Sequence, residues 1–395
     1  MNIIRAYTNI NETFKRVEDN LKPFLEHGDA LILPDACPVK EGVLPVGTVL
    51  RTENKLFPDG HSADVCCSMH LTWFDAGKTR QPINVMMDKL VQSTHFGSGE
   101  RIKHIAHDVL DEMPKNEYLN GLEAYASSGM ATQGNGNHFA SILKLSNEDK
   151  YALVTHHGSR GLGANVYLRG KMACKNNYLS GIDIKEYMVA MQYIEKWTLA
   201  NHQSIAKMFL KSIGSKSLGT RFSPHNFVWE RDGYIYHGKG ATPVVNNQNS
   251  IIPMNMLDGI LLTSGHNDKF WGFAPHGAGR NESRTQFLKK YTGDDGKILK
   301  TKVRQALKIP VDVRWYLGEA DIAESHLAYK SSKEIIEEIN NFKLTNIDST
   351  LKTLGTVMAG RELKRGHVEF ESHKKARARE HRADRRTAKM RNFEE

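Results

Sequence analysis

The chain has 395 residues, 39% of them hydrophobic, enough apolar material for a large core and too much for wholesale disorder. No run of eighteen apolar residues suits a membrane span, and four cysteines (Cys37, Cys66, Cys67, Cys174) are too few for a disulfide framework, so a reducing cytoplasm is expected. The net charge of +9 is uneven: eleven Lys/Arg and four Asp/Glu between Lys364 and Arg391 carry +7, leaving +2 on the remainder.

Taken in order, Met1–Thr13 lacks the basic-then-apolar order of a signal peptide. Ile10–Leu25 has helical spacing, Ala30-Leu31-Ile32-Leu33-Pro34 reads as a short buried strand, and Gly42–Leu50 as another. In Asp64-Val65-Cys66-Cys67, an oxygen and a thiolate three residues apart converge on one ion if the segment turns. The blander reading is a buried cysteine beside a capping aspartate. Met86–Leu110 is helical at both ends around a loop at 94–100. The turn Gly134-Asn135-Gly136-Asn137 then delivers His138 into a strand, Phe139–Leu145.

A second strand, Tyr151–Thr155, runs into His156-His157-Gly158-Ser159-Arg160-Gly161-Leu162-Gly163, read as a Gly-rich turn. Neighbouring strands of this kind would present His138 and His156 side by side. Lys185–Leu210 is a long helix by period. His225-Asn226 precedes a hairpin turning at Asp232-Gly233, and its return strand ends in His237-Gly238-Lys239-Gly240-Ala241-Thr242. His95, His157, His237 and His266 read as packing or surface residues.

Pro275-His276-Gly277-Ala278-Gly279-Arg280 is poor core material. Its glycines free backbone N–H groups for an anion, Arg280 offers a planar fork, and His276 supplies a nucleophilic or acid–base imidazole. Beyond it, 282–306 is helical in part, and 333–341 and 351–358 close a globular body with no internal linker. From Arg361 the alternation of Lys/Arg with Ala and Glu reads as a basic helical tail.

Collected, Asp64, Cys67, His138, His156 and His225 form a mixed O/S/N ligand set large enough for two ions. The carboxylate and imidazoles suit Mn²⁺, while the thiolate favours Zn²⁺ or another softer ion such as Co²⁺. Metal, phosphate-cradling turns and a nucleophilic histidine together spell phosphoryl or nucleotidyl transfer.

The motifs Asp64-x-x-Cys67, Gly-x-Gly-Asn137-His138-Phe139, His156-x-Gly-Ser-Arg-Gly, His225-Asn226, Lys239-Gly-Ala-Thr and His276-Gly-Ala-Gly-Arg280 resemble, in order, those of the RtcB-type RNA ligases. The resemblance spans roughly residues 64–329. It implies a mixed α/β, single-domain fold over 1–360, with β-sheets flanked by helices around a central metal cleft, followed by the basic tail 361–395. It also implies GTP- and Mn²⁺-dependent joining of RNA 2′,3′-cyclic phosphate or 3′-phosphate ends to 5′-hydroxyl ends, in RNA repair or tRNA splicing. By motif, Asp64, Cys67, His138, His156 and His225 would ligate two ions with Cys67 bridging, and His276 would take GMP as a phosphoramidate. Asn137, His138, His225, Asn226, Lys239, His276, Gly277, Ala278, Gly279 and Arg280 would contact the nucleotide. An activator or release-factor-like protein is a further implied partner.

The chain departs from the family pattern at Cys66 and Ser68, where glycines usually flank the metal cysteine, and at Ser141, Asn255 and Ile260. By resemblance, these last positions belong to the guanine pocket. Two alternatives stand beside the ligase reading: a metal-dependent phosphoesterase acting on RNA ends, and an RNA-binding protein with a vestigial site. If the tail grips RNA, deleting residues 364–395 will weaken single-strand binding and flatten its salt dependence by about 0.7 in slope per lost phosphate contact. An unchanged slope would make the tail a passive appendage.

Overall fold

The computed structural model describes residues 2–8, 11–75, 81–97, 104–145, 150–244, 249–265 and 267–362. The tail beyond 362, positions 98–100 of the loop after His95, and His266 lie outside the described residues. The architecture is mixed α/β. A curled eight-stranded sheet runs in the order Ser250–Asn255, Gly259–Ser264, Asn346–Met358, Phe139–Leu145, Tyr151–His157, Ser68–Phe74 and Ser217–Pro224, and Asp312–Trp315 pairs alongside Asn346–Met358. A five-stranded sheet runs Ile3–Arg5, Gly28–Cys37, Val46–Thr52, Tyr234–Lys239 and Asn226–Arg231. His225 is the single residue between a strand of the first sheet and a strand of the second.

Period-two alternation sends each strand's side chains to opposite faces. In the eight-stranded sheet, Met69, Leu71, Leu143, Val154, Ile251, Ile260, Leu262 and Leu351 meet inside the curl. The opposite face packs Ala140, Ile142, Leu153 and Val357 against two helices, Ile83–Ser93 and Ile182–Ile213, through Met86, Met87, Leu90, Phe209, Leu210 and Ile213. The long helix sits on the sheet because its apolar residues recur at helical spacing, and its ring of Trp197 is fully buried. It ends at Gly214, whose left-handed backbone returns its N–H to the carbonyls of Leu210 and Lys211.

Most elements form where periodicity places them, with two exceptions. The segment 158–163, read as a Gly-rich turn, is instead the entry to a helix, Arg160–Ala173. Its glycines serve close packing: a Cβ on Gly163 would stand 1.8 Å from Ser159 Oγ. The helical pattern was hidden because glycines there break the apolar stripe that marks a helix. The described part of 94–110 also forms little helix, only a short turn at Asp108–Leu110 after the helix Ile83–Ser93 ends.

Several histidines are core residues. His237 accepts from the Phe57 N–H at 3.0 Å and pairs with the Leu50 carbonyl at 3.1 Å, and His61 meets the Tyr187 hydroxyl at 3.0 Å. Burial pushes His61 and His70 down to about 4 and His237 to about 3. The unfolded chain, with histidines near 6.5, therefore binds protons that the folded chain refuses between those values. Stability is retained above about pH 6.5 and falls as pH drops toward 4, by up to about 1.4 kcal/mol per pH unit for each such histidine. Urea midpoints measured from pH 7 to 4 should fall steeply below 6.5, and a flat profile would contradict the buried, neutral assignment.

Candidate metal centre and nucleophile

The register of four adjacent strands brings the candidate ligands to one rim. Phe139 pairs with His156, His156 with Met69, and Ser68 with both His157 and Pro224. His138 immediately precedes one strand, Cys67 precedes another, His225 follows a third, and His156 lies in the row they share. Asp64 joins them from the turn before Cys67, whose N–H donates to the Asp64 carbonyl at 3.2 Å.

The donor atoms converge. Cys67 Sγ lies 3.1 Å from His156 Nε2 and 3.6 Å from His138 Nε2. His156 Nε2 lies 3.3 Å from His225 Nε2, and His138 Nε2 lies 3.0 Å from Asp64 Oδ2. Two triads result, Cys67/His156/His225 and Asp64/Cys67/His138, each with its ligand atoms within 4.8 Å of one another. Cys67 belongs to both.

The far side of two rings fixes their orientation. The Gln133 carbonyl accepts from His138 Nδ1 at 2.6 Å, and the Asn137 carbonyl from His156 Nδ1 at 3.2 Å. Those bonds place the proton on Nδ1 and aim the Nε2 lone pair at the sulfur, the arrangement that second-shell carbonyls give metal-binding imidazoles. Packing sulfur and nitrogen lone pairs this closely is unfavourable unless a cation shares them, so the donor set fits a metal. Gly158 leaves room for the carboxylate: a Cβ there would stand 2.2 Å from Asp64 Oδ1.

Electrostatics point the same way. Burial pushes His156 down to about 3, with His138 adding to the effect, and holds His225 well below its ordinary value, helped by His276. Both imidazoles are neutral at physiological pH, the form that ligates. Burial, reinforced by Asp64, raises the Cys67 thiol, so only a bound cation would make it a thiolate at neutral pH. Burial also acts to raise Asp64, but the neighbouring His138, a hydrogen bond from the Cys67 thiol and the Arg160 charge outweigh it and hold the carboxyl well below the usual range.

His276 faces this cluster across His225, with ring centroids 5.1 Å apart and its side chain 18% exposed. Its partner is Asp35, a residue that the sequence reading passed over. Asp35 Oδ2 accepts from the His276 backbone N–H at 3.0 Å and from Nδ1 at 2.5 Å. A carboxylate accepts, so the ring proton sits on Nδ1 and Nε2 is left with a lone pair. The available signal was an acid embedded in the apolar run Leu31–Cys37, since a fully buried aspartate needs a partner. Gly240 makes the approach possible: a Cβ there would come within 2.8 Å of the His276 ring.

The remaining candidates divide. Asn226 spends its amide on structure, donating to the Asp64 carbonyl at 3.3 Å and accepting from Gly240 N–H at 2.7 Å, so it braces the ligand loop against the His276 side. Lys239 is buried on the adjoining strand, and burial, opposed by Asp59, pulls its amine down to about 7. Asn137 is half-buried at the rim. Gly277 packs on the Pro253 carbonyl, and Ala278 is buried. Arg280 turns away from the free-fork role expected of it: it bonds Ala323 O at 2.6 Å and Glu324 at 2.7 Å, and stacks on Tyr329. Ser141 bonds Thr356 at 2.7 Å, Asn255 caps the turn at Leu257 and Asp258, and Ile260 lines the apolar curl. None of those three brings a charge.

If Cys67 bridges two ions, Cys67→Ala will abolish the near-ultraviolet sulfur-to-cobalt band of the Co²⁺-loaded protein and lower its cobalt content, while far-ultraviolet dichroism stays unchanged. Full cobalt occupancy in that variant would remove the assignment.

The family model described as "RtcB: tRNA-splicing ligase RtcB" matches residues 115–359, which excludes Asp64 and Cys67 but includes the other candidate ligands and His276. The RNA-splicing ligase RtcB2 of Escherichia coli is 24% identical over 265 residues, covering 61% of this chain and 66% of that protein. The tRNA-splicing ligase RtcB of Methanopyrus kandleri is 22% identical over 303 residues, covering 58% of this chain and 30% of that protein. With more than half its length matched by the family model, and with the fold and donor cluster described above, the chain belongs to the RtcB family.

Proposed function

We propose that the chain is an RNA ligase that joins a 2′,3′-cyclic phosphate or 3′-phosphate RNA end to a 5′-hydroxyl end through a nucleotidyl-histidine at His276. The observation that carries the reading is the juxtaposition of an Nδ1-anchored imidazole with a paired O/N/S donor cluster 5.1 Å away, ring to ring. Residues 1–360 form the catalytic unit in this reading, and 361–395 add a basic RNA-binding tail. Asp64, Cys67 and His138 would hold one ion and Cys67, His156 and His225 the other, Mn²⁺ being the resident metal, with Zn²⁺ or Co²⁺ able to substitute. Bound there, such ions supply positive charge to phosphate oxygens as negative charge builds in the transition state.

The chain's own groups do the rest. Asp35 holds the Nδ1 proton, which frees Nε2 to attack the α-phosphorus of GTP. The N–P bond forms as the bridging P–O bond breaks, and pyrophosphate leaves with the electron pair. The histidine-bound GMP then passes to the RNA 3′-phosphate, and attack by the 5′-hydroxyl releases GMP and closes the phosphodiester. The Gly277–Gly279 backbone and Asn137 line the nucleotide, and Lys239, paired across the strands with Asn226, would add charge to its phosphates when protonated. Ser141, Asn255 and Ile260 carry no charge toward a base, so ATP belongs in the test beside GTP.

The protein incubated with Mn²⁺ and α-labelled GTP or ATP should acquire acid-labile, base-stable label that His276→Ala abolishes. Undiminished label in that variant would refute the nucleophile. Metal-dependent loss of a terminal RNA phosphate with no label from either nucleotide would favour the phosphoesterase reading instead.

A further inference from the structure

Beneath the His276 loop lies a lysine that the chemistry above does not use. Lys330 is only 5% exposed. Its Nζ donates to the carbonyl of Pro34 at 2.7 Å and reaches that of Ala36 at 3.4 Å, the residues on either side of Asp35. The ammonium also lies 4.8 Å from the centroid of the Phe14 ring. Its backbone N–H donates to the Gly279 carbonyl at 2.9 Å. One residue is therefore tied to both halves of the dyad: its main chain to the loop that follows His276, its side chain to the strand that carries Asp35. The two halves are pressed together there, since a Cβ on Gly279 would stand 2.3 Å from the Asp35 carbonyl oxygen.

Asp35 needs such support. Its side chain is fully buried, and Oδ1 has no hydrogen-bond partner among the described residues, while Oδ2 serves His276 twice. A carboxylate in that position is costly unless a cation shares the site. Arg280 is committed to Glu324, whereas the Lys330 ammonium, held on the carbonyls of Pro34 and Ala36, is close enough for its charge and that of Asp35 to favour one another. Burial pulls the Lys330 amine down, and Asp35, Glu334, Cys37 and Glu338 pull it the other way. A flexible or uncompensated Asp35 would let the ring of His276 rotate or exchange tautomers, and Nε2 would lose its aim.

We propose that Lys330 is a positioning residue for His276: by clamping the carbonyls that flank Asp35 and opposing its charge, it holds the imidazole with Nδ1 protonated and Nε2 free. It acts only through Asp35 and touches neither nucleotide nor ring. The inference rests on His276 being the attacking group.

The test compares Lys330→Met, Asp35→Asn and the double variant in the full chain. Lys330→Gln, whose amide N–H can still donate to those carbonyls but carries no charge, replaces the methionine variant if that one does not fold. Removing an outer-shell partner of this kind typically costs about 10- to 100-fold. Lys330→Met is expected to slow single-turnover labelling of His276 by that factor with half-saturating nucleotide unchanged. The double variant is expected to be no slower than Asp35→Asn alone, because the two act as one unit. A merely structural role would instead give additive losses. Nitrogen-15 spectra of histidine-labelled protein without nucleotide supply a second readout: His276 wholly Nδ1-protonated in the parent, and a tautomer mixture in Lys330→Met. Parent-like labelling and tautomer in Lys330→Met, or additive losses in the double variant, would overturn the proposal. If the parent itself takes no label, the ligase reading is what has failed, and the tautomer spectra alone decide the role of Lys330.

Discussion

A single sulfur atom is the point on which the site turns. Cys67 Sγ touches the Nε2 atoms of both His156 and His138 and is the one ligand shared by the two triads. Bringing five donors from four chain segments into so small a volume has to be enforced by the surrounding fold, because the lone pairs repel until a cation joins them. The enforcement comes from strand register. Because side chains alternate strictly along a strand, a slip of one residue in any of three pairings would turn a ligand to the other face of the sheet. The buried layers on both faces of the curl make such slips expensive.

The proposed nucleophile is supplied by a different sheet system. Asp35 comes from the five-stranded sheet, while His276 follows a short strand, Phe273–Pro275, that pairs with Ala241–Pro243. His225 lies at the crossing between the sheets, and Asn226 ties the Asp64 turn to Gly240 beside the His276 ring. The distance between the donor cluster and His276 is thus set by backbone-anchored contacts rather than by flexible side chains. That is the kind of preorganisation that keeps a reacting atom aimed without reorganisation during the reaction.

Much of this was legible in the chain. His138 and His276 announced themselves beside glycine-rich turns and His156 at the end of a strand, whereas His225 was marked by the asparagine beside it and lies between two strands. The long helix and the Asp232-Gly233 hairpin followed from period and turn chemistry. What escaped was information that lives in three dimensions. Asp35 lies 241 residues from His276 along the chain; its place in an apolar run shows that it needs a partner, but not which one. Arg280 looked available because its acceptor, Glu324, lies 44 residues further along the chain. The glycines of 158–163 looked like loop residues, yet they exist to let a helix and a carboxylate approach closely.

The central claim is that two ions flank Cys67 and face His276. Anomalous diffraction from crystals soaked in Mn²⁺ tests it most directly. Two manganese peaks are expected, one among Asp64, Cys67 and His138 and the other among Cys67, His156 and His225, with His276 Nε2 turned toward the pair. Peaks elsewhere, or a His276 ring pointing away from them, would contradict it.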